Sequence, residues 1–83
     1  VNYFREKYHS YTARRWALEL EIAQAMHNAL FIARDESLPV QRRANAVRTL
    51  RKLKTVSEEL NIDSNTHISN FIDEYEDLKH LLN

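Results

Sequence analysis

Two pairs of residues in the sequence have the spacing of a metal-binding motif. Glu6 precedes His9 by three positions, and Asp77 precedes His80 by three. A carboxylate and an imidazole at this spacing on a helix point the same way, and di-iron bundles use it. Such sites need further inward-facing carboxylates from facing helices, and Glu21 is the only obvious acid at mid-bundle. We therefore predict neither a metal site nor a cofactor.

Other arrangements that support catalysis are missing from the sequence. The chain has no Gly and no Cys, so it offers no Gly-rich phosphate loop and no Cys nucleophile, and no Ser/His/Asp grouping is evident. His27 borders a polar strip of its helix, and we expect it to be a half-buried packing residue. A helical chain this short also lacks loops that could form a substrate pocket. These features predict a protein that is not an enzyme and has no small-molecule substrate.

Aromatic and basic residues alternate in the N-terminal segment, residues 1–16. The candidate contact residues in it are Tyr3, Phe4, Tyr8, Tyr11, Arg14, Arg15 and Trp16. Side chains of these types can stack on single-stranded nucleic acid or form a protein interface. A third reading is that the aromatic side chains cap the end of the helical core. We favour a protein interface, with a second copy of the chain as a common kind of partner.

The second predicted helix has a run of basic residues with no acid between Val40 and Thr55. They are Arg42, Arg43, Arg48, Arg51, Lys52 and Lys54. From Arg48 onward we expect neutralisation by acids of the neighbouring helices. In an antiparallel arrangement Arg51 would be level with Glu76 and Lys54 with Asp73, and Lys52 and Lys54 would be level with Glu19 and Glu21.

Arg42 and Arg43 are a separate case. They fall in the first turns of the helix, where positive charge opposes the helix dipole. Few acids are expected near them. They are therefore candidates for contact with a partner or with phosphate, and the alternative is an ordinary solvated surface.

Helices must position all of these residues. The sequence has no Gly and a single Pro, whereas sheets and tight turns need positive φ at intervals, which Gly adopts most easily. The most apolar stretch, Trp16 to Ala33, contains thirteen apolar residues among eighteen. Its apolar side chains recur every three or four positions, as on one side of a helix. Composition and pattern together predict an all-α fold.

Three helices are predicted, at about residues 2–34, 38–60 and 65–82. We expect the first to be continuous or gently broken near residues 10–12. Ser37 with Pro39 predicts the start of the second helix, and Asp63, Ser64 or Thr66 can cap the third. Short connections predict an antiparallel three-helix bundle with a long first helix. We expect residues 1–83 to form this one domain. Two copies could dimerise through the first helix into a larger bundle.

The function expected from these features is protein–protein interaction. We predict a non-enzymatic assembly domain that self-associates through the first helix. Its partner is then a protein, and a second copy of the chain is one such partner. The alternative is a nucleic-acid-binding or regulatory domain, against which the net charge of zero argues.

The cellular context of the chain is only partly constrained by the sequence. No signal peptide or membrane span is evident, so we expect no membrane partner and favour an intracellular, cytoplasmic location. The sequence starts at Val1. Either an initiator Met has been removed or the chain belongs to a longer protein, and both readings stay open.

Overall fold

Three α-helices and a short 3-10 helix make up the described part of the chain. The computed structural model describes the backbone of residues 2–83 and the side chains of residues 13–83. The helices are α1, Asn2–Arg34, α2, Val40–Glu59, and α3, Thr66–Leu78, followed by the 3-10 helix Lys79–Leu82. No strand occurs in residues 2–83, and the predicted all-α fold is confirmed. Over the same residues, no helix has both the length and the hydropathy of a membrane span.

The turn between α1 and α2 does not use the predicted cap. Ser37 was expected to cap the second helix, but α2 begins at Val40 with Pro39 as its N-cap residue. The Ser37 hydroxyl and backbone N–H both donate to Asp35 Oδ1. Pro39 has an extended ψ of 144°, and its carbonyl accepts the first helical hydrogen bonds of α2. The prediction was wrong because Asp35 competes for the Ser37 side chain.

The turn after α2 is a Schellman motif without glycine. The N–H of Ile62 donates to the carbonyl of Ser57, and the N–H of Asn61 donates to the carbonyl of Glu58. This pattern requires a left-handed residue at Asn61, whose φ is 57°. Asn tolerates that conformation better than most residues. Ile62 then enters the core, where it is almost fully buried.

The third helix is capped by Asn65. Its Oδ1 accepts from the backbone N–H groups of His67 at 2.9 Å and Ile68 at 3.4 Å. The predicted caps Asp63, Ser64 and Thr66 are therefore wrong, although Asn is an equally good N-cap residue. At its other end, α3 stops at Leu78 rather than near residue 82, and the chain tightens into a 3-10 turn.

One apolar core lies between the helices. Met26 and Leu30 of α1, Leu50 of α2 and Ile68 of α3 are each at most 2% exposed. The remaining buried members of this cluster are Ile22, Ala29, Ala33, Ala46, Val47, Ile62 and Tyr75. Burying one such large aliphatic side chain stabilises the fold by about 1.5–3 kcal/mol.

Polar contacts indicate how the helices run. At the C-terminal end of α1, Arg43 Nε donates to the carbonyl of Ala33 at 2.8 Å. Glu74, in the second half of α3, pairs with Arg34, the last residue of α1. Further toward the N-terminus of α1, Arg15 donates to the carbonyl of Asn61 at 3.0 Å. The start of α2 and the later part of α3 thus lie beside the end of α1, which fits the predicted up-down-up order.

Candidate protein-interaction surface

A row of mostly exposed side chains runs along α1 next to the side that forms the core. We call it the α1 stripe: Trp16, Leu20, His27 and Phe31 are exposed, and Ala23 between them is half-buried and packs against the core. Trp16 is 69% exposed, Leu20 51% and Phe31 72%. Spacings of three and four residues keep the row on one side of the helix over about 22 Å, at 1.5 Å per residue. Exposed apolar rows of this kind mark interaction surfaces.

One edge of the α1 stripe is bordered by α3. The rings of His27 and Phe71 lie 6.2 Å apart between centroids and are tilted by 58°. Beside them is a cavity of about 530 Å³, lined mainly by α1 residues together with His67 and Phe71. The stripe and the first turns of α3 thus form a shallow apolar groove.

A second cavity lies at the C-terminal end of the stripe. We call it the Phe31 hollow; its volume is about 370 Å³. Its lining includes His27, Leu30, Phe31, Arg34, Phe71 and Glu74. Arg34 and Glu74 form an ion pair at its edge. The hollow is therefore lined by both apolar and charged side chains.

The contact residues predicted in the N-terminal segment have different outcomes. Tyr3, Phe4, Tyr8 and Tyr11 lie outside the residues whose side chains the structure describes, as do Glu6 and His9. Arg14 and Trp16 are exposed at the N-terminal end of the stripe.

Arg15, by contrast, is engaged within the molecule. Besides its hydrogen bond to Asn61, its Nε lies 4.0 Å from Glu19 Oε1, and Asn65 Nδ2 lies 3.5 Å from Glu19 Oε2. Arg15 therefore ties α1 to the α2–α3 turn.

Arg42 and Arg43 also separate. The guanidinium of Arg43 is partly buried and donates to the carbonyl of Ala33, which would otherwise lack an intrahelical partner. The positive charge of Arg43, near the start of α2, thus lies at the C-terminal end of α1, where the helix dipole favours a cation. Arg42 stays exposed. Both charges help to hold the pKa of Asp35 below its ordinary value, after the larger effect of the Ser37 hydrogen bonds.

The expected neutralisation of the later α2 cations is not seen. Among Arg48, Arg51, Lys52 and Lys54, only Lys54 has a described carboxylate within 4.0 Å. That carboxylate belongs to Glu58, which is on the same helix. Arg48 donates to Asn45, while Arg51 and Lys52 are exposed. At two of the expected acids, Glu76 and Glu19, the prediction failed because the carboxylate has another partner.

Those other partners are seen for two acids of α3 and α1. Lys79 donates to Glu76 and is the main cause that lowers the pKa of Glu76, with Lys54 a minor cause. Glu19 is held by Arg15 and Asn65.

Leu20, Phe31 and His27 are the residues that sequence reasoning missed. Leu20 and Phe31 were not singled out, and His27 was expected to be half-buried but is exposed. A signal was present: positions 16, 20, 27 and 31 share a side of the helix distinct from the one that carries Ile22, Met26 and Leu30.

The histidines do not assemble into a metal site in the described part of the chain. His80 Nδ1 lies 3.0 Å from the backbone carbonyl of Asp77, so the ring contacts its own helix. No group of three potential ligand side chains comes together among the described residues.

Comparison with models of protein families, with curated proteins and with solved structures finds no match to this chain.

Proposed function

We propose that this protein is a non-enzymatic assembly domain that self-associates through the α1 stripe. The observation that supports the proposal is the exposure of Trp16, Leu20 and Phe31 in one row on a helix whose adjacent side forms the core. Leaving large apolar side chains in water costs about 25 cal/mol per Å² of apolar surface. Covering the row with a partner recovers that free energy.

A second copy of the chain suits the chemistry of this surface. Among the described residues, no member of the stripe carries a carboxylate, guanidinium or ammonium group. The matching surface should therefore also be apolar. The chain presents such a surface on itself, and two copies can bury both stripes in one contact, as in an isologous dimer.

The area of the surface predicts a weak association. A specific interface needs roughly 1,000 Å² of total buried surface. Two aromatic rings that are each about 70% exposed still offer on the order of 100 Å² or more apiece. With Leu20, His27 and Phe71 added, two copies reach the lower end of the specific range. We therefore expect a dissociation constant on the order of 100 µM.

Sedimentation equilibrium on the full chain tests the proposal. The wild-type mass should rise above 9.9 kDa with concentration. Phe31→Ser removes a ring from the stripe and should weaken association at least about tenfold. Val40→Ser is the matched control, because Val40 is 64% exposed but lies on α2. A wild-type chain that stays monomeric, or an equal loss in Val40→Ser, would contradict the proposal.

A second candidate function is binding of nucleic acid through α2. The observation that favours it is that Arg51 and Lys52 are exposed and, among the described residues, have no carboxylate within 4.0 Å. Cations of this kind can contact phosphates.

A labelled single-stranded oligonucleotide tests this second candidate. Binding should fall steeply between about 50 and 200 mM salt, because phosphate contacts release counterions. It should be lost when Arg51→Glu and Lys52→Glu are combined. Absence of binding at low salt, or binding that the double variant retains, would rule out this surface.

A further inference from the structure

The α1 stripe is arranged symmetrically about its own midpoint. Trp16 and Phe31 are equally far from the point between Ala23 and Gln24, and so are Leu20 and His27. When two such helices run antiparallel with their midpoints together, Trp16 of each lies level with Phe31 of the other. Ala23, which is small, then lies at the centre, where two helices must approach closely.

The two ends of the stripe also differ in shape in a complementary way. Trp16 carries the largest side chain of the row and is 69% exposed. Phe31 lies beside the Phe31 hollow of about 370 Å³. A single indole ring fits within that volume. One end thus presents a projecting ring, and the other presents a cavity at the same level of the antiparallel pair.

The chemistry of the Phe31 hollow suits an indole. Two of its lining side chains, Phe31 and Phe71, are aromatic, and offset or edge-to-face contacts between aromatic rings are favourable. A buried indole N–H needs an acceptor, and the Glu74 carboxylate lines the same hollow. Arg34, at the rim, can lie against the ring face as a cation.

We propose that two copies pair antiparallel, with Trp16 of each copy in the Phe31 hollow of the other. This inference rests on the proposed self-association through α1 and specifies its register. A parallel pair would place Trp16 against Trp16 and leave both hollows without a large side chain. The antiparallel pair also opposes the two helix dipoles, which is the favourable arrangement.

Fluorescence of Trp16 reports directly on this contact, because it is the one Trp of the chain. On raising the concentration through the dissociation constant, its emission should shift to shorter wavelength and its quenching by iodide should fall at least about threefold as the ring leaves water. Val40→Ser should behave as wild type. If sedimentation shows a dimer while the emission stays that of an exposed indole, the register is wrong, and the effect of Phe31→Ser on the dimer then decides separately whether the α1 stripe is the contact surface.

Disulfide cross-linking separates the two helix directions. The chain has no native Cys, so single-Cys variants report one position each. In the antiparallel register the two copies of residue 24 are offset by about 1.5 Å along the helix axis, and the two copies of residue 27 by about 10 Å. A disulfide requires Cα atoms within about 7 Å.

Gln24→Cys should therefore form the covalent dimer under mild oxidation, and His27→Cys should not. Both positions are exposed, so neither change disturbs the core. In a parallel pair every residue is level with its own copy, so a covalent dimer from His27→Cys, with or without one from Gln24→Cys, would indicate a parallel pair and overturn the inference. A chain that is monomeric in sedimentation would overturn both the inference and the proposed function.

Discussion

Two arginine side chains hold the ends of helices at the scale of single residues. Arg43 donates to the carbonyl of Ala33 at the end of α1, and Arg15 donates to the carbonyl of Asn61 just after α2. Carbonyls at a helix C-terminus lack intrahelical partners and carry partial negative charge. A guanidinium satisfies both needs in one contact, so these side chains connect elements that are distant in sequence.

Arg43→Met should destabilise the fold through this lost contact. The substitution keeps the apolar stem but removes the donor, so we expect the free energy of unfolding to fall by about 1 kcal/mol. Arg42→Met, at the exposed neighbouring position, should change it by less than about 0.5 kcal/mol. Urea unfolding of the two variants measures the difference. Equal effects would mean that the Arg43 hydrogen bond does not contribute to stability.

The carboxyl of Asp35 provides a pH-dependent contact in the first turn. Hydrogen bonds from Ser37 are the main cause that lowers its pKa, with smaller effects from the charges of Arg43 and Arg42. A carboxyl with a lowered pKa in the folded state stabilises the fold above its ordinary pKa. That contribution is lost as the pH falls through the folded-state value.

Ser37→Ala should therefore raise the pKa of Asp35 toward its ordinary value. It should also reduce the part of the stability that is lost between neutral and acid pH. Titration of the Asp35 carboxyl by NMR, with wild type as reference, measures the shift. An unchanged pKa in Ser37→Ala would show that the hydroxyl is not its main cause.

The connections determine where each helix starts and stops at the scale of elements. After α2, the left-handed Asn61 turns the chain so that Ile62 enters the core. Four residues later, Asn65 caps α3 and thereby fixes the direction of its first turn. This turn brings His67 and Phe71 beside the α1 stripe, so the groove depends on the cap.

Replacing the cap tests its contribution to stability. Asn65→Ala removes the acceptor for the N–H groups of His67 and Ile68, and should lower the free energy of unfolding by about 1 kcal/mol. Asn65→Ser retains an acceptor without placing a carboxylate beside Glu19, and should recover most of that loss. Asn70→Ala, at an exposed position within α3, is the control for loss of an Asn side chain. Thermal or urea unfolding of all three gives the comparison, and an Asn70→Ala effect as large as Asn65→Ala would contradict it.

The existence of the helices could be predicted from sequence, but their ends could not. The absence of Gly and the three-to-four-residue apolar spacing are sufficient for an all-α fold. Ser37, Asp63, Ser64 and Asn65 are all chemically able to cap a helix. Which one does so depends on competing partners, such as Asp35 for Ser37.

The α1 stripe was missed for a related reason. Apolar residues cover much of the circumference of α1 between Trp16 and Ala33. Their number does not tell which side meets α2 and α3. That depends on where the two turns direct the following helices, and the turns depend on contacts such as Arg15 with Asn61. The sequence therefore places Leu20 and Phe31 on a side of α1 distinct from that of Ile22 and Met26, but it does not tell which of the two sides the other helices cover.

The molecule as a whole has two apolar sides on one helix and covers only one of them. A chain of 83 residues buries only about 60–65% of its unfolded surface, so its core is small. Pairing of two α1 stripes would enlarge the buried apolar surface and stabilise the fold by mass action. We therefore expect the stability of the protein to rise with its concentration.

A dilution series followed by amide NMR tests the central claim, that the α1 stripe is the surface of self-association. Between about 1 mM and 10 µM, a range that brackets a dissociation constant on the order of 100 µM, the shifts of residues 16–31 and 67–71 should change together. Those of α2, Val40–Glu59, should stay constant. Shifts that do not change at all, or changes confined to α2, would contradict the account.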